Sequence, residues 1–305
     1  MAERRETMIE PNSATIHRQG SLLVAAAALC WSTGGLIARF ITADSWTQVC
    51  WRGGFSAAAL MVFLLWREGR NIGALIRTQG LPGLGVALCF STASICFIIA
   101  LRHTTVATIL VIQSTAPLIA GIIAWLWMRE TISVVKAMAM LLALGGVSVM
   151  VSQHDMAADP SGLLLSAIIA CSLAVATVIT RRFQHIRMTP ACCLAGVIMA
   201  IIGAFLGAPL ETDGANFALL FLFGAGQLAV GLICFSFGAR LIPASEASLI
   251  GLLECILGPV WVFLFLGENP GIHAVIGGLM VLSAVAWNTI AESRRVQRAV
   301  PKPVN

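Results

Sequence analysis

The sequence predicts an all-α integral membrane protein of ten transmembrane helices, arranged as two inverted five-helix repeats. Three observations predict it. The 305 residues are 58% hydrophobic and only 11% charged, against about 25% charged in a soluble domain. The apolar residues gather into ten long runs. The first half of the chain also repeats in the second.

The runs lie near Ser21 to Ile41, Trp46 to Trp66, Leu81 to Leu101, Thr105 to Met128 and Ser133 to Val151. The second set lies near Ser161 to Thr180, Pro190 to Pro209, Asn216 to Ala239, Ser245 to Leu266 and Ile272 to Ile290. About twenty apolar residues cross a bilayer as a helix. Barrel strands would be half as long and would alternate in polarity, so the runs read as helices. The connections are short and leave no room for a soluble domain. The first twenty residues are polar, and no A-x-A-like cleavage site follows the first run, so that run reads as a retained helix.

Basic residues orient the chain, because Lys and Arg accumulate on the cytoplasmic side. One side receives Arg4, Arg5, Arg18, Arg67, Arg70, Arg77, Arg129, Lys136, Arg181, Arg182, Arg187, Arg240, Arg294, Arg295, Arg298 and Lys302. The other receives Arg39 and Arg102, together with Asp44, Asp155, Asp159, Glu211, Asp213 and Glu268. Both termini are therefore expected in the cytoplasm. The chain divides into a cytoplasmic segment 1–20, repeats at 21–151 and 161–290, and a cytoplasmic tail 291–305. With no tyrosine present, tryptophan must supply the interfacial belt, and Trp46, Trp66 and Trp127 fall at run ends.

Other classes are disfavoured. The net charge of +5 is spread over short clusters between apolar runs, not over one face of a soluble domain, so no nucleic-acid partner is expected. The nine cysteines form no CxxC pair and read as small membrane-helix residues, not as disulfides or metal ligands. No phosphate loop, metal cluster or nucleophile–base pair is present. The five histidines, His17, His103, His154, His185 and His273, read as run-end or loop residues. No catalytic residue, metal or cofactor is expected.

The repeat appears when GSLLVAAAALCWSTGGLIAR, Gly20 to Arg39, is set over GLLLSAIIACSLAVATVITR, Gly162 to Arg181. The same shift pairs Thr47 with Thr189, Cys50 with Cys192 and Gly54 with Gly196. A slightly shorter shift later pairs Arg102 with Arg240 and Glu130 with Glu268. Each copy holds five runs, an odd number, so the second copy enters the membrane upside down. Inverted repeats of this kind are a transporter architecture, with the substrate site near the midplane between the copies.

Four stretches carry a family resemblance. CWSTGG, Cys30 to Gly35, and WRGGF, Trp51 to Phe55, resemble first- and second-span motifs of the EamA-type transporters of the drug/metabolite transporter superfamily. IQSTAPLIAGIIAWLWMRE, Ile112 to Glu130, resembles the fourth-span signature, a central proline followed by a terminal glutamate. LLECILGPVWVFLFLGE, Leu252 to Glu268, resembles its ninth-span copy, although Cys255 stands where many members have proline. The resemblance covers about Gly20 to Ile290. It implies ten helices, cytoplasmic termini and transport of small metabolites, often as export across the bacterial inner membrane. It does not name the substrate.

Glu254 is the leading candidate. An unpaired acid at mid-bilayer costs about 3 kcal/mol on insertion scales. Its helical face otherwise carries Ala247, Ser248, Gly251 and Gly258, which leaves room for a ligand or a neighbouring helix. It reads as a substrate-amine ligand or proton carrier, or else as a structural hydrogen-bonding group. Arg52 reads as a carboxylate ligand, a gate residue, or a snorkelling side chain. Trp31, Ser32, Thr33, Ser94, Gln113 and Gln227 are candidate cavity liners, each alternatively interhelical glue. Pro117 and Pro259 each leave a carbonyl without its helical donor and can bend spans 4 and 9. Glu130 and Glu268 end those spans and read as hairpin or gating groups. Glu246 opens span 9 and reads as charge compensation for the helix N-terminus, or as part of a polar path to the cytoplasm.

These residues, with the resemblance, point to a secondary transporter that exports a small zwitterionic or cationic, amino acid-like metabolite, with protons as candidate coupling ions. Import or exchange is the alternative direction. A non-transporting sensor or structural membrane protein is the alternative of another class. Reporter fusions at Asn305 and within the loop Asp155 to Pro160 are expected to report opposite sides of the membrane. Same-side signals would break the ten-span parity.

Overall fold

The computed structural model describes residues 13–69, 72–104, 106–130, 132–152, 159–267 and 271–299. Every predicted run is helical there, and no strand occurs among the described residues. Spans 2, 3, 6 and 7 are the single helices Ser45–Glu68, Gly80–Ala100, Pro160–Arg182 and Thr189–Leu206. Spans 5 and 10 are Val134–Val151 and Gly271–Ala299. Span 1 begins at Ser13 and brings His17 into the helix, so this histidine is not a loop residue. Span 10 continues past Ile290 to Ala299, into the expected tail. Eight spans are long and apolar enough to cross a membrane on their own, and spans 4 and 5 contribute shorter apolar helices.

Four spans are interrupted. Span 1 divides into Ser13–Ser32 and Gly34–Phe40, span 4 into Val106–Gln113 and Ala116–Met128, and span 9 into Ala244–Gly251 and Leu253–Leu266. Span 8 runs as Gly214–Phe221, a wide π-helical stretch Leu222–Ala229, and Val230–Gly238. The three breaks share one geometry. Thr33, Thr115 and Leu252 keep helical φ but have ψ of −11°, −14° and −10°. Each donates its N–H to the carbonyl three residues back, at 3.3, 3.0 and 3.1 Å. They are single tightened turns, not unwound segments. Side chains explain two of them. Thr33 and Thr115 hydroxyls donate to the carbonyls of Cys30 and Ile112 at 2.7 and 2.6 Å, a back-bond that bends helices. Pro117 also removes the donor that the Gln113 carbonyl would use.

The helix starts are capped locally. Asp44 accepts from Trp46 and Thr47 N–H at 2.8 and 3.1 Å, and Asp213 accepts from Asn216 N–H at 2.8 Å. Asp159 and Ser133 cap spans 6 and 5 in the same way. These acids on the arginine-poor side thus satisfy orphan helix donors. The two copies also stop alike. Arg129 ends span 4 and Gly267 ends span 9 in the left-handed conformation, with φ of 55° and 69°. Left-handed backbone costs a non-glycine residue about 1–2 kcal/mol, so Arg129 holds a strained position that its counterpart fills with glycine.

Packing follows the repeat. Span 2 packs on span 7 and span 5 on span 10, each a span against its own copy. Span 3 packs on span 6 as span 8 packs on span 1, and span 4 packs on span 6 as span 9 packs on span 1. Exchanging the halves preserves the arrangement. With five spans in each half, the copies are inverted relative to each other.

The self-paired contacts need small residues, because lipid gives helices no hydrophobic reason to associate and close packing must do it. A Cβ on Gly53 would lie 2.5 Å from Met199 Cβ, and one on Gly203 would lie 2.3 Å from the Cys50 nitrogen. A Cβ on Gly146 would meet the Gly277 carbonyl at 2.7 Å. The perimeter is apolar and exposed, as at Trp66, Leu81 and Phe205. Gly203→Ala is therefore expected to push spans 2 and 7 apart and cost about 1–3 kcal/mol. Gly35→Ala, where nothing lies within 4 Å, is expected to leave stability unchanged or raised. Thermal melting of the two variants in one detergent compares them directly.

Candidate functional site

Two polar centres sit inside the bundle. The first is built around Arg52, two turns into span 2. Its side chain is turned inward and the residue is only 5% exposed, so it does not reach the interface. Nη1 donates to Ser94 Oγ of span 3 at 2.7 Å, and Nη2 donates to Gln227 Oε1 of span 8 at 3.1 Å. The guanidinium lies 4.2 Å from the centroid of Phe223. Gln227 passes the chain of bonds on, donating Nε2 to the Trp31 carbonyl at 3.1 Å. Gln227 and Phe223 both stand in the π-helical stretch of span 8, one turn apart on the side facing Arg52.

No carboxylate lies within ion-pair distance of Arg52 among the described residues, and its Nε has no partner. Burying a lone ion costs several kcal/mol. Two charge-assisted bonds at about 1.5–3 kcal/mol each and a desolvated cation–π contact of about 2 kcal/mol offset much of that. They do not neutralise the charge. The indole Nε1 of Trp31 is likewise buried without a partner, pressed against Gly231, where a Cβ would lie 2.1 Å away.

The second centre joins the two halves. Gln113, the last residue before the break in span 4, donates Nε2 to Oε1 of Glu254, two residues after the break in span 9. The breaks of two repeat-related spans thus meet through their side chains. Glu254 lies in the first turn of Leu253–Leu266. It keeps part of its surface accessible, whereas the adjacent Cys255 is wholly buried.

Ser32 links span 1 to span 9. Its hydroxyl accepts from Trp261 Nε1 at 2.8 Å and donates to the Leu29 carbonyl at 2.7 Å. Trp261 lies two turns beyond Glu254, on the same face. Ser94, Arg52, Gln227 and Trp31 therefore form one continuous chain of contacts, and Ser32 extends it to span 9. Thr33 bonds only its own helix.

The remaining candidates lie elsewhere. Pro117 is the second residue of the helix that follows the span 4 break. Pro259 falls inside Leu253–Leu266, and span 9 tightens seven residues earlier, at Leu252. Glu130 accepts from Arg181 Nε at 3.3 Å, tying the end of span 4 to the end of span 6. Glu268 lies outside the described residues. Glu246 is 0% exposed and its Oε2 lies 3.0 Å from His17 Nε2. This pair joins the starts of spans 1 and 9. With the partners 229 positions apart in sequence, no sequence pattern announces it. Phe223 and Trp261 also escaped the sequence reading. The helical spacing of Trp261 from Glu254 was the signal available for one of them.

Ten helices in two inverted halves, holding an acid and a guanidinium between them, have the build of a membrane transporter. The chain belongs to the EamA-like transporter family, which matches residues 18–152 and 160–290. It is 25% identical over 277 residues to an uncharacterized transporter of Archaeoglobus fulgidus, covering 88% of this chain and 97% of that one. It also superposes on a crystal structure with a TM-score of 0.77 at 17% identity, over 92% of this chain and 99% of the other. That likeness shows a shared fold. Family and relative point to transport, not catalysis, for a multi-pass protein that contacts the bilayer and a small-molecule substrate.

The Arg52 centre makes a two-sided prediction. Gln227→Leu strands a buried guanidinium hydrogen and is expected to destabilise by about 1–3 kcal/mol. Arg52→Met made together with Gln227→Leu removes the charge and its partner at once, and is expected to melt closer to the unsubstituted protein than Gln227→Leu alone. Thermal melting of the two proteins side by side checks the order.

Proposed function

We propose that the protein is a secondary transporter that exports a small zwitterionic or cationic metabolite, amino acid-like in size, by alternating access. On this reading the repeats at 21–151 and 161–290 rock about a shared site in a bacterial inner membrane, with both termini cytoplasmic. The basic excess at one end of the bundle supports that orientation.

The observation that carries the reading is the joining of the two halves at mid-span through Gln113 and Glu254. A side-chain contact between two repeat-related breaks must change when the halves rock. Glu254 is accessible enough to meet a ligand or a proton there. Its protonation would differ with access to either side, which is how a carboxylate couples proton movement to opening. A protonated substrate amine can replace the Gln113 amide as its partner.

Arg52 supplies the opposite charge. It stands seven residues into span 2, and Glu254 ten residues into span 9 from the other side. At 1.5 Å per residue they lie about 10 and 15 Å in from opposite ends, about 5 Å apart in depth across a core about 30 Å thick. A zwitterion of amino-acid size, with one hydrogen bond of about 2.8 Å at each end, covers about 8 Å. Trp31, Ser32, Thr33, Ser94 and Gln227 line the path between them on this reading. Glu130, Glu246 and Glu268 act at the ends of the moving spans, Pro117 beside the bend of span 4, and Pro259 within the helix beyond the bend of span 9.

Glu254→Gln keeps shape and hydrogen bonding but cannot ionise. It is expected to reduce flux at least ten-fold while leaving the melting temperature within a few degrees. Flux over a metabolite panel in proteoliposomes of known orientation, at several pH values, measures this. The sign of net flux separates export from import or exchange. Normal Glu254→Gln flux at every pH would sink the role given to the carboxylate. No flux of any solute by the unsubstituted protein would favour a sensor.

A further inference from the structure

A third charged cluster lies away from both polar centres, at the end of the bundle that carries the basic excess. Arg67 and Arg187 converge on one oxygen of Glu68. Arg187 Nη1 contacts Glu68 Oε1, and Arg67 Nε lies 3.6 Å from the same atom. Arg67 also stacks on Phe237, with Cζ 4.7 Å from the ring centroid, and Arg240 lies over the same ring at 5.6 Å. Phe63 packs edge-on to Phe237 at 6.4 Å. Three guanidiniums therefore surround one phenyl ring and one carboxylate, a local excess of two positive charges.

The cluster is held in place. The Arg187 carbonyl accepts from Gln79 Nε2 at 2.8 Å, and the Arg240 carbonyl accepts from Arg181 Nη1 at 2.9 Å. Arg181 is itself matched to Glu130, so it does not neutralise the group. Burial, then the Arg187 and Arg67 charges beside it, hold the Arg240 guanidinium below the usual arginine range. Like charges brought together at this spacing repel, and the fold keeps them together with a single acid. An anion would remove that repulsion.

The surroundings say which anion. Arg67 is in the last turn of span 2, and Arg240 follows the end of span 8 by two residues. Both therefore sit at headgroup depth. Spans 2 and 8 pack against each other further in, through the π-helical stretch, and part towards this end. Phe63, Phe237 and the two guanidinium stems fill the gap. Beside it Trp66 turns outward and is 83% exposed, with its ring 6.4 Å from Phe63, which gives acyl chains an apolar wall adjoining the charges.

We propose that Arg67, Arg187 and Arg240 bind the phosphate of an anionic phospholipid in the gap between spans 2 and 8. The phosphodiester accepts from Arg187 and Arg240, Arg67 bridges it to Glu68, and the acyl chains run down past Trp66. Basic pockets at the ends of membrane helices recognise lipid headgroups in this manner, at roughly 1 kcal/mol for each basic residue.

The purified full-length protein in detergent is titrated with phosphatidylglycerol, phosphatidylcholine and inorganic phosphate, with bound lipid read by native mass spectrometry. Phosphatidylglycerol is expected to bind in preference to phosphatidylcholine, and inorganic phosphate is expected not to displace it. R187Q and R240Q are each expected to weaken phosphatidylglycerol about five-fold. E68Q removes the competing carboxylate and is expected to strengthen it, while a purely structural ion cluster would gain nothing. If the arginine variants do not fold, the direction of the E68Q change still decides. Equal binding of both lipids, displacement by phosphate alone, unchanged binding in R187Q and R240Q, or weaker binding in E68Q overturns the proposal.

Discussion

Hydrocarbon offers no partner for a peptide group, and that constraint governs this molecule from end to end. Every N–H and C=O within the bilayer must be paired by the chain itself. A transporter nevertheless needs places where helices can bend. Here the conflict is settled largely by changing the hydrogen-bond step, with a donor given up where Pro117 and Pro259 stand inside spans. Spans 1, 4 and 9 shorten it to three residues at Thr33, Thr115 and Leu252, and span 8 lengthens it over Leu222–Ala229. The polar side chains of the candidate site gather where the step changes. Trp31 and Ser32 precede one tightened turn, Gln113 precedes another, Glu254 follows the third, and Gln227 sits in the wide stretch.

Much of this was legible in the sequence. Run length gave all ten spans to within a few residues at most ends, because lipid selects for length and apolarity alone. The odd number of spans per copy gave the inversion. The lengthening of span 1 back to Ser13 was hidden, because His17 and Arg18 look like the end of an apolar run. His17 is in fact covered by the start of span 9, and a distant partner leaves no local trace. The interruptions were partly legible. Pro117 and the hydroxyls of Thr33 and Thr115 carry them in their chemistry. The turn at Leu252 has no such side chain, and the wide turns of span 8 have no sequence signature of this kind. The repeat shift falls by four residues between the Gly54–Gly196 and Arg102–Arg240 pairs. In that interval the first copy inserts the helix Ile72–Arg77, where the second has only the short turn Pro209–Glu211.

The site was legible as a set of residue types and not as a set of contacts. Periodicity placed Arg52, Ser94, Gln113, Gln227 and Glu254 inside spans. It could not say that Arg52 takes Ser94 and Gln227 as partners while Glu254 takes Gln113. That division depends on the angles at which spans 2, 3 and 8 meet, and those angles are set by glycine contacts such as Gly224 against the Arg52 carbonyl. Both centres are polar bridges between elements of the two halves. The two self-paired contacts, span 2 on span 7 and span 5 on span 10, are instead backbone-tight and apolar. Such close-packed seams leave the pairs 2–7 and 5–10 little room to slide.

The missing tyrosine has an optical consequence. All the near-ultraviolet emission of this protein comes from indole, with eight tryptophans and no phenol to excite. Trp66, Trp125, Trp127 and Trp287 are exposed on the apolar perimeter, within reach of acyl chains. Trp31 and Trp261 are turned into the bundle, one against Gly231 and the other bonded to Ser32. Brominated lipid would silence the outer group and leave the inner pair alight, together with the half-buried Trp46 and Trp51. The chain thus carries its own pair of lamps beside the candidate site, and their colour and brightness follow the polarity of whatever stands there.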